Sequence, residues 1–215
     1  MASDPWWGLA IVAIESSFRA AFRWRLVGVE HLPASGPVLL ASNHVSPLDP
    51  FAIGLAGVAR RRAVRYLTSA EFFDWPVGGF LLRRLKMVPI KRGAGDTGAL
   101  DAAERALAAG EVVGIFPEGR IGDGAALQRG HSGAARLALR TGVPVVPVGV
   151  WGPQRRWAGT GMVLRGPARP RAAIAVGQAL MPLGDDTSQA DVQRFTDDVM
   201  AGIERAVEAA RIAAS

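Results

Sequence analysis

His44 and Asp49 lie five residues apart in Leu40-Ala-Ser-Asn-His-Val-Ser-Pro-Leu-Asp-Pro50, where an apolar strand runs into a helix. Imidazole is the side chain whose ordinary charge change falls near neutral pH, and a carboxylate on one ring nitrogen fixes the tautomer so that the other can accept a proton. The pair therefore suits removal of a proton from a hydroxyl. Ser46 can cap a helix with Pro47 at its first position and Asp49 at its third, which would hold the carboxylate at the positive helix end and within reach of His44.

Two further stretches add charge suited to an anion. In Met87-Val-Pro-Ile-Lys-Arg-Gly-Ala-Gly95, Lys91 and Arg92 stand at a strand end before a glycine stretch that would let a phosphate approach closely. Side chains alternate along a strand, so one of the two points into the site, and Arg92, able to bind bidentately, is favoured. In Val112-Val-Gly-Ile-Phe-Pro-Glu-Gly-Arg120, Pro117 closes a fully buried strand and Gly119 permits a tight or left-handed backbone. Glu118 is placed to accept a hydrogen bond from an acceptor hydroxyl, and Arg120 to meet an anion. Taken alone, Pro-Glu-Gly-Arg is an ordinary turn.

These groups need a frame. Short β-branched runs at Val38–Ala41, Val64–Leu67, Met87–Ile90, Val112–Phe116 and Val143–Val150 read as strands. Helical patterns over Asp49–Ala59, Glu71–Leu85, Thr97–Ala109 and Gly133–Thr141 separate them, with Gly110 and Gly142 as stops. Met162–Leu164 and Ala172–Val176 are expected to extend the sheet edge, and Val192, Phe195, Val199, Ile203 and Ala206 mark a closing helix. The alternation predicts an α/β fold with a mixed, largely parallel sheet covered by helices on both faces. In such sheets reactive groups gather at the carboxyl ends of strands, which puts His44, Arg92 and Glu118 to Arg120 on one rim.

Ahead of this frame, Trp7, Ile11, Ile14, Phe18 and Phe22 recur at helical spacing within Trp6–Val27, followed by Arg19, Arg23 and Arg25. Residues 1–28 are thus expected to form an amphipathic helix suited to a membrane interface, and residues 29–215 the catalytic domain. The longest uncharged stretch there, Pro5 to Ile14, falls short of the roughly 20 residues a membrane span needs, and no signal peptide is evident. The expectation is a peripheral protein on the cytoplasmic side.

The net charge of +6 favours anionic partners, such as an anionic membrane surface, nucleotide phosphates or an acidic carrier protein. Nucleic acid is set aside because no basic and aromatic stacking pattern accompanies the charge. The chain has no cysteine, which excludes disulfides, thiolate metal sites and a thiol acyl-enzyme. No metal-ligand cluster is visible, so no metal or bound cofactor is expected.

The ordered set Asn-His-x-x-x-x-Asp49, Pro-Ile-Lys-Arg92, Phe-Pro-Glu-Gly-Arg120 and Val143-Pro-Val-Val-Pro-Val148 resembles the glycerolipid acyltransferases, in particular the 1-acyl-sn-glycerol-3-phosphate (lysophosphatidate) acyltransferases. The resemblance spans roughly Arg25 to Gly152. It implies acyl transfer from acyl-CoA or acyl-carrier protein, as co-substrate, to a lysophosphatidate-type lipid acceptor. It also implies His44 as general base, Asp49 as its partner, Arg92 and Arg120 as phosphate ligands, and Glu118 and Gly119 in the acceptor site, with Lys91 beside Arg92 as a further substrate-binding candidate. Where the family reads Phe-Pro-Glu-Gly-Thr-Arg, this chain lacks the Thr and brings Arg120 one place forward. A Lys common in the family is replaced by His131. Glycerol-3-phosphate, another lysophospholipid or a glycolipid are alternative acceptors for the same chemistry. A non-enzymatic lipid-binding protein is the remaining alternative. Arg60, Arg61, Arg62 and Arg65, or Arg155 and Arg156, are candidates to flank the donor.

Overall fold

The computed structural model describes residues 5–84, 87–90, 97–158, 161–163 and 166–215. Seven strands form one sheet: β1 (Arg23–Val27), β2 (Val38–Ser42), β3 (Val64–Ser69), β4 (Val88–Ile90), β5 (Val112–Ile115), β6 (Val145–Trp151) and β9 (Arg171–Val176), in the order β1-β9-β6-β2-β5-β3-β4. Strands β6, β2, β5, β3 and β4 are mutually parallel, whereas β9 pairs antiparallel with β6 and parallel with β1. A separate hairpin pairs β7 (Trp157–Ala158) with β8 (Gly161–Met162).

β2 is central because it can be buried on both faces. All five of its residues are buried, as a strand sandwiched between helix layers requires. Val38 and Leu40 pack toward α1 (Pro5–Ala21) and α2 (Asp49–Ala59), while Leu39 and Ala41 pack toward α4 (Thr97–Ala108), α5 (Gly133–Thr141) and α6 (Gln189–Ala213). The expected two-sided α/β sandwich is what forms. β6 carries Pro147 in its interior, a residue that breaks most central strands. The Pro147 carbonyl accepts the Gly177 amide at 2.8 Å, so its nitrogen faces the same side, just beyond the end of β9 where no ladder donor is needed.

Three expectations are revised. The helix expected over Trp6–Val27 ends at Ala21, and Arg23–Val27 alternates into an edge strand of the same sheet, so Trp24 lies on a strand rather than at a helix end. Residues 23–27 therefore belong to the sheet rather than to a helical appendage. Phe18 and Phe22 at the end of α1 are buried and stack at 5.6 Å, fixing that end to the core. The helix expected over Glu71–Leu85 is split into a 3-10 turn at Ala70–Asp74 and α3 at Pro76–Arg84, because Pro76 lacks the donor needed mid-helix but suits a first position. Met162 joins the small hairpin instead of the sheet edge, Leu164 lies outside the described residues, and Ala172–Val176 is an inner strand.

α6 crosses β6 at very short range. A Cβ built on Gly149 would sit 2.1 Å from the Ala206 carbonyl carbon, so only glycine lets helix and strand approach this closely. Gly149→Ala should destabilise the protein at the upper end of about 1–3 kcal/mol, read by chemical denaturation, since neither backbone can yield. Wild-type stability in that variant would refute the close packing.

Candidate active site

Each parallel strand delivers its carboxyl end to one rim, and the chemical groups follow from there. β2 ends at Ser42, and Asn43 carries the pairing onward by side chain: its Nδ2 donates to the Val150 carbonyl at 3.0 Å and its Oδ1 accepts the Val150 amide at 2.8 Å. The next residue, His44, is thereby launched from a fixed point above the sheet.

His44 is held on every side. Its Nδ1 lies 3.0 Å from Asp49 Oδ2, and the same oxygen accepts the amides of Val45 at 2.6 Å and Ser46 at 2.8 Å. The His44 amide donates to Glu118 Oε1 at 2.7 Å and its carbonyl accepts the Gly122 amide at 2.7 Å. Phe116 stacks on the ring with centroids 3.9 Å apart and planes 13° from parallel. With Nδ1–H directed to Asp49, Nε2 is the nitrogen left to accept a proton. The His44 side chain is 15% exposed, which gives it narrow access to a substrate.

Asp49 opens α2 as its first residue, preceded by Leu48 rather than by a Ser46 cap. Ser46 Oγ instead accepts the Leu48 amide at 3.2 Å, closing the turn that lets the carboxylate fold back onto residues 44–46. Burial pushes the Asp49 carboxyl above its ordinary value, against the lowering effect of the His44 hydrogen bond, the His44 charge and the two amides. Its second oxygen, Oδ1, is buried without a partner among the described residues, as is the Tyr66 hydroxyl. Burial, aided by the Asp49 charge, pushes the Tyr66 phenol well above its usual range. Tyr66 stacks on Phe116 at 5.5 Å, completing a column of three rings that ends at His44.

The downstream turn joins this centre on the expected rim. Glu118 is buried, and its Oε2 accepts the Gln128 amide at 3.0 Å while Oε1 holds His44. Each oxygen accepts one backbone amide, so Glu118 braces the loop. Gly119 adopts φ of 67°, the left-handed region, and a Cβ there would lie 3.2 Å from the His131 ring. Arg120 is exposed, with Nε donating to Gln128 Oε1 at 2.6 Å. Lys91 and Arg92 lie outside the described residues.

Among the candidate donor arginines, Arg62 is buried and donates to the carbonyls of Pro33, Gly36 and Gly110, and Arg65 pairs with Glu111. They stand at the amino ends of the strands, the rim opposite His44, so they cannot flank a donor there. Arg155 and Arg156 follow the carboxyl end of β6 and are on the correct rim. Sequence reasoning missed Asn43, Tyr66, Phe116 and Gln128 as parts of the centre. Asn43 carried a signal, being a polar residue between a buried strand and the histidine. Gln128 carried none.

The family profile described as Acyltransferase matches residues 23–151. An uncharacterised protein of Mycobacterium leprae is 35% identical over 164 residues, covering 69% of this chain and 42% of that protein. A lyso-ornithine lipid O-acyltransferase of Pseudomonas aeruginosa is 35% identical over 116 residues, 53% of this chain and 43% of that one. A chloroplastic 1-acyl-sn-glycerol-3-phosphate acyltransferase of Brassica napus is 30% identical over 135 residues, 61% of this chain and 38% of that one. The chain thus spans under half the length of these relatives. The crystal structure of the 1-acyl-sn-glycerophosphate (LPA) acyltransferase PlsC from Thermotoga maritima superimposes with a TM-score of 0.70 at 20% identity, covering 94% of this chain and 78% of that one.

Two outcomes follow from the geometry. Because folding raises the Asp49 pKa, the folded state binds more protons than the unfolded state as pH climbs above the ordinary value of 3.8, and stability conferred at this site falls through that window. Asp49→Asn lacks this titration, so its stability relative to wild type should rise with pH in paired denaturation series. A relative gain by wild type would mean that the hydrogen bonds outweigh burial. Glu118→Gln leaves one amide facing an NH₂ group and should cost about 1–3 kcal/mol. Unaltered unfolding would show that the brace is dispensable.

Proposed function

The chain belongs to the Acyltransferase family, and from this premise we propose that it moves a fatty acyl group from acyl-CoA or acyl-carrier protein to the free hydroxyl of 1-acylglycerol-3-phosphate, giving phosphatidate. The observation that carries the reading is the His44 ring, clamped through Nδ1 by a buried carboxylate and open at Nε2 on a rim shared with Arg120. His44 Nε2 takes the hydroxyl proton as the oxygen attacks the thioester carbonyl. The tetrahedral centre collapses, the C–S bond breaks, and the thiolate recovers the proton from His44. A positioned base contributes about 10²- to 10⁴-fold, and orientation of the two substrates supplies much of the rest.

Asp49 gains its purpose within that cycle. Its burial is costly while His44 is neutral, and the cost is offset once the ring becomes an imidazolium facing the carboxylate. Interaction that strengthens on the way to the transition state accelerates chemistry, whereas uniform binding does not. Arg92 and Arg120 remain the proposed phosphate ligands, with Lys91 beside them and Gly119 allowing close backbone approach.

No helix among the described residues is long and apolar enough to cross a membrane. We place the enzyme peripherally on an anionic membrane, at the cytoplasmic face. The exposed Phe72, Trp75 and Phe80, which follow the carboxyl end of β3 on the His44 rim, support that orientation. A lyso-ornithine lipid is the second acceptor reading. It is favoured by the relative of that name and by Arg120, which is engaged with Gln128 in a turn one residue shorter than the family pattern.

Purified protein offered acyl-CoA with lysophosphatidate or lyso-ornithine lipid, its products weighed by mass spectrometry, discriminates the acceptors. In the same assay His44→Ala should lower turnover by about 10²- to 10⁴-fold while sedimentation with vesicles persists. Turnover equal to wild type would reject the base.

A further inference from the structure

Five arginines that the reaction above does not use meet at one place. A cavity of about 580 Å³, within the size range of small-molecule sites, opens at the β1 edge of the sheet and is lined by Arg19, Arg23, Arg25, Arg169 and Arg171. Arg23 and Arg171 are register partners on the parallel pair β1 and β9, so their side chains leave the same face of the sheet, and Arg25, two residues on, shares it. That face is the one α6 covers, since Ala173 and Ala175 pack against Ala210 and Ala214. α6 stops at Ala213, and beyond its end the three guanidinium groups stand uncovered. An adjoining cavity of about 400 Å³ shares Arg23, Arg169 and Arg171 and adds Arg155.

The charges there are poorly balanced by protein. Arg19 pairs with Glu15 at 2.7 Å, Arg25 reaches the Ala213 carbonyl at 3.4 Å, and Arg169 donates to the carbonyls of Arg19 and Phe22 at the end of α1. The Arg23 and Arg171 side chains have no hydrogen bond or ion pair among the described residues. Like charges directly opposite each other across a strand pair repel, and the carboxyl end of α6, where Ser215 also lines the cavity, offers partial negative charge through its dipole. A doubly charged oxyanion, gripped by planar forks from two sides, would relieve that repulsion.

Position ties the cavity to the reaction. β1 and β9 run against β6 and β2, so their first residues lie on the rim where β2 ends and His44 begins. From β2 to β1 there are three strand spacings, about 14 Å. We infer that this cavity is a second phosphate-binding site, distinct from the His44 centre, which holds the phosphate of a ligand used at the same rim. The acyl-transfer reading narrows the source of that phosphate to the nucleotide of a CoA thioester or the headgroup of an anionic phospholipid.

The test compares three full-length proteins: wild type, Arg23→Ala/Arg171→Ala, and a charge-matched control, Arg105→Ala/Arg205→Ala, altered on exposed helical positions. One arm titrates CoA by calorimetry. The other sediments the proteins with phosphatidylcholine vesicles with and without phosphatidate. Binding in at least one arm should weaken about tenfold or more in the cavity variant and stay near wild type in the control. Loss confined to the CoA arm assigns the nucleotide, and loss confined to the phosphatidate arm assigns the headgroup. Equal effects in both variants, with circular dichroism confirming that each is folded, would overturn the inference, as would wild type binding neither probe. Neither readout needs turnover, so His44→Ala should bind as wild type does. Cavity-dependent binding by a protein that acylates no acceptor would remove the reaction while leaving the site.

Discussion

One buried carboxylate oxygen organises this molecule's chemistry. Asp49 Oδ2 gathers the His44 ring and the amides of Val45 and Ser46 within 3.0 Å, so a single atom sets the tautomer of the base, the path of the loop and the start of α2. Enclosing a carboxylate in this way is expensive, and donors must converge on it for the fold to hold it there. Its location at the first turn of a helix lowers the cost further, since the amide dipoles there favour negative charge.

The remaining structure can be understood as support for that atom. Asn43 locks the exit of β2 to β6, Glu118 and Gly122 grip the His44 peptide from the neighbouring loop, and Phe116 with Tyr66 backs the ring. Gly114, on β5, makes room for this column, since a Cβ there would lie 2.3 Å from the Tyr66 ring. Two carboxylates, Asp49 and Glu118, thus serve His44 in different ways. One faces its side chain, the other its backbone.

Much of this was legible from residues alone, and the failures have physical causes. The five parallel strands were readable because apolar β-branched runs such as Val38–Ser42 and Val112–Ile115 suit strands buried on both faces, and His44 with Asp49 was readable because a local turn brings them together. The bracing role of Glu118 could not be seen because its partners, His44 and Gln128, supply backbone amides, and a main-chain donor leaves no mark in residue identity. The arginines before β3 were misplaced for another reason. Charge density does not reveal which end of a strand it occupies, and Arg62 proved to be a tie among the loops of the far rim. β1 was absorbed into the preceding helix because Phe18 and Phe22 kept the helical rhythm up to the very residue where Arg23-Trp-Arg-Leu-Val27 changes it.

The reversal of β1 and β9 relative to the central strands has a geometric consequence. A chain that enters the sheet through β1 must do so from the side on which β2 departs, so α1 ends on the same side as the reactive imidazole. The last turn of α1, held in the core by Phe18 and Phe22, is thereby fixed at that rim.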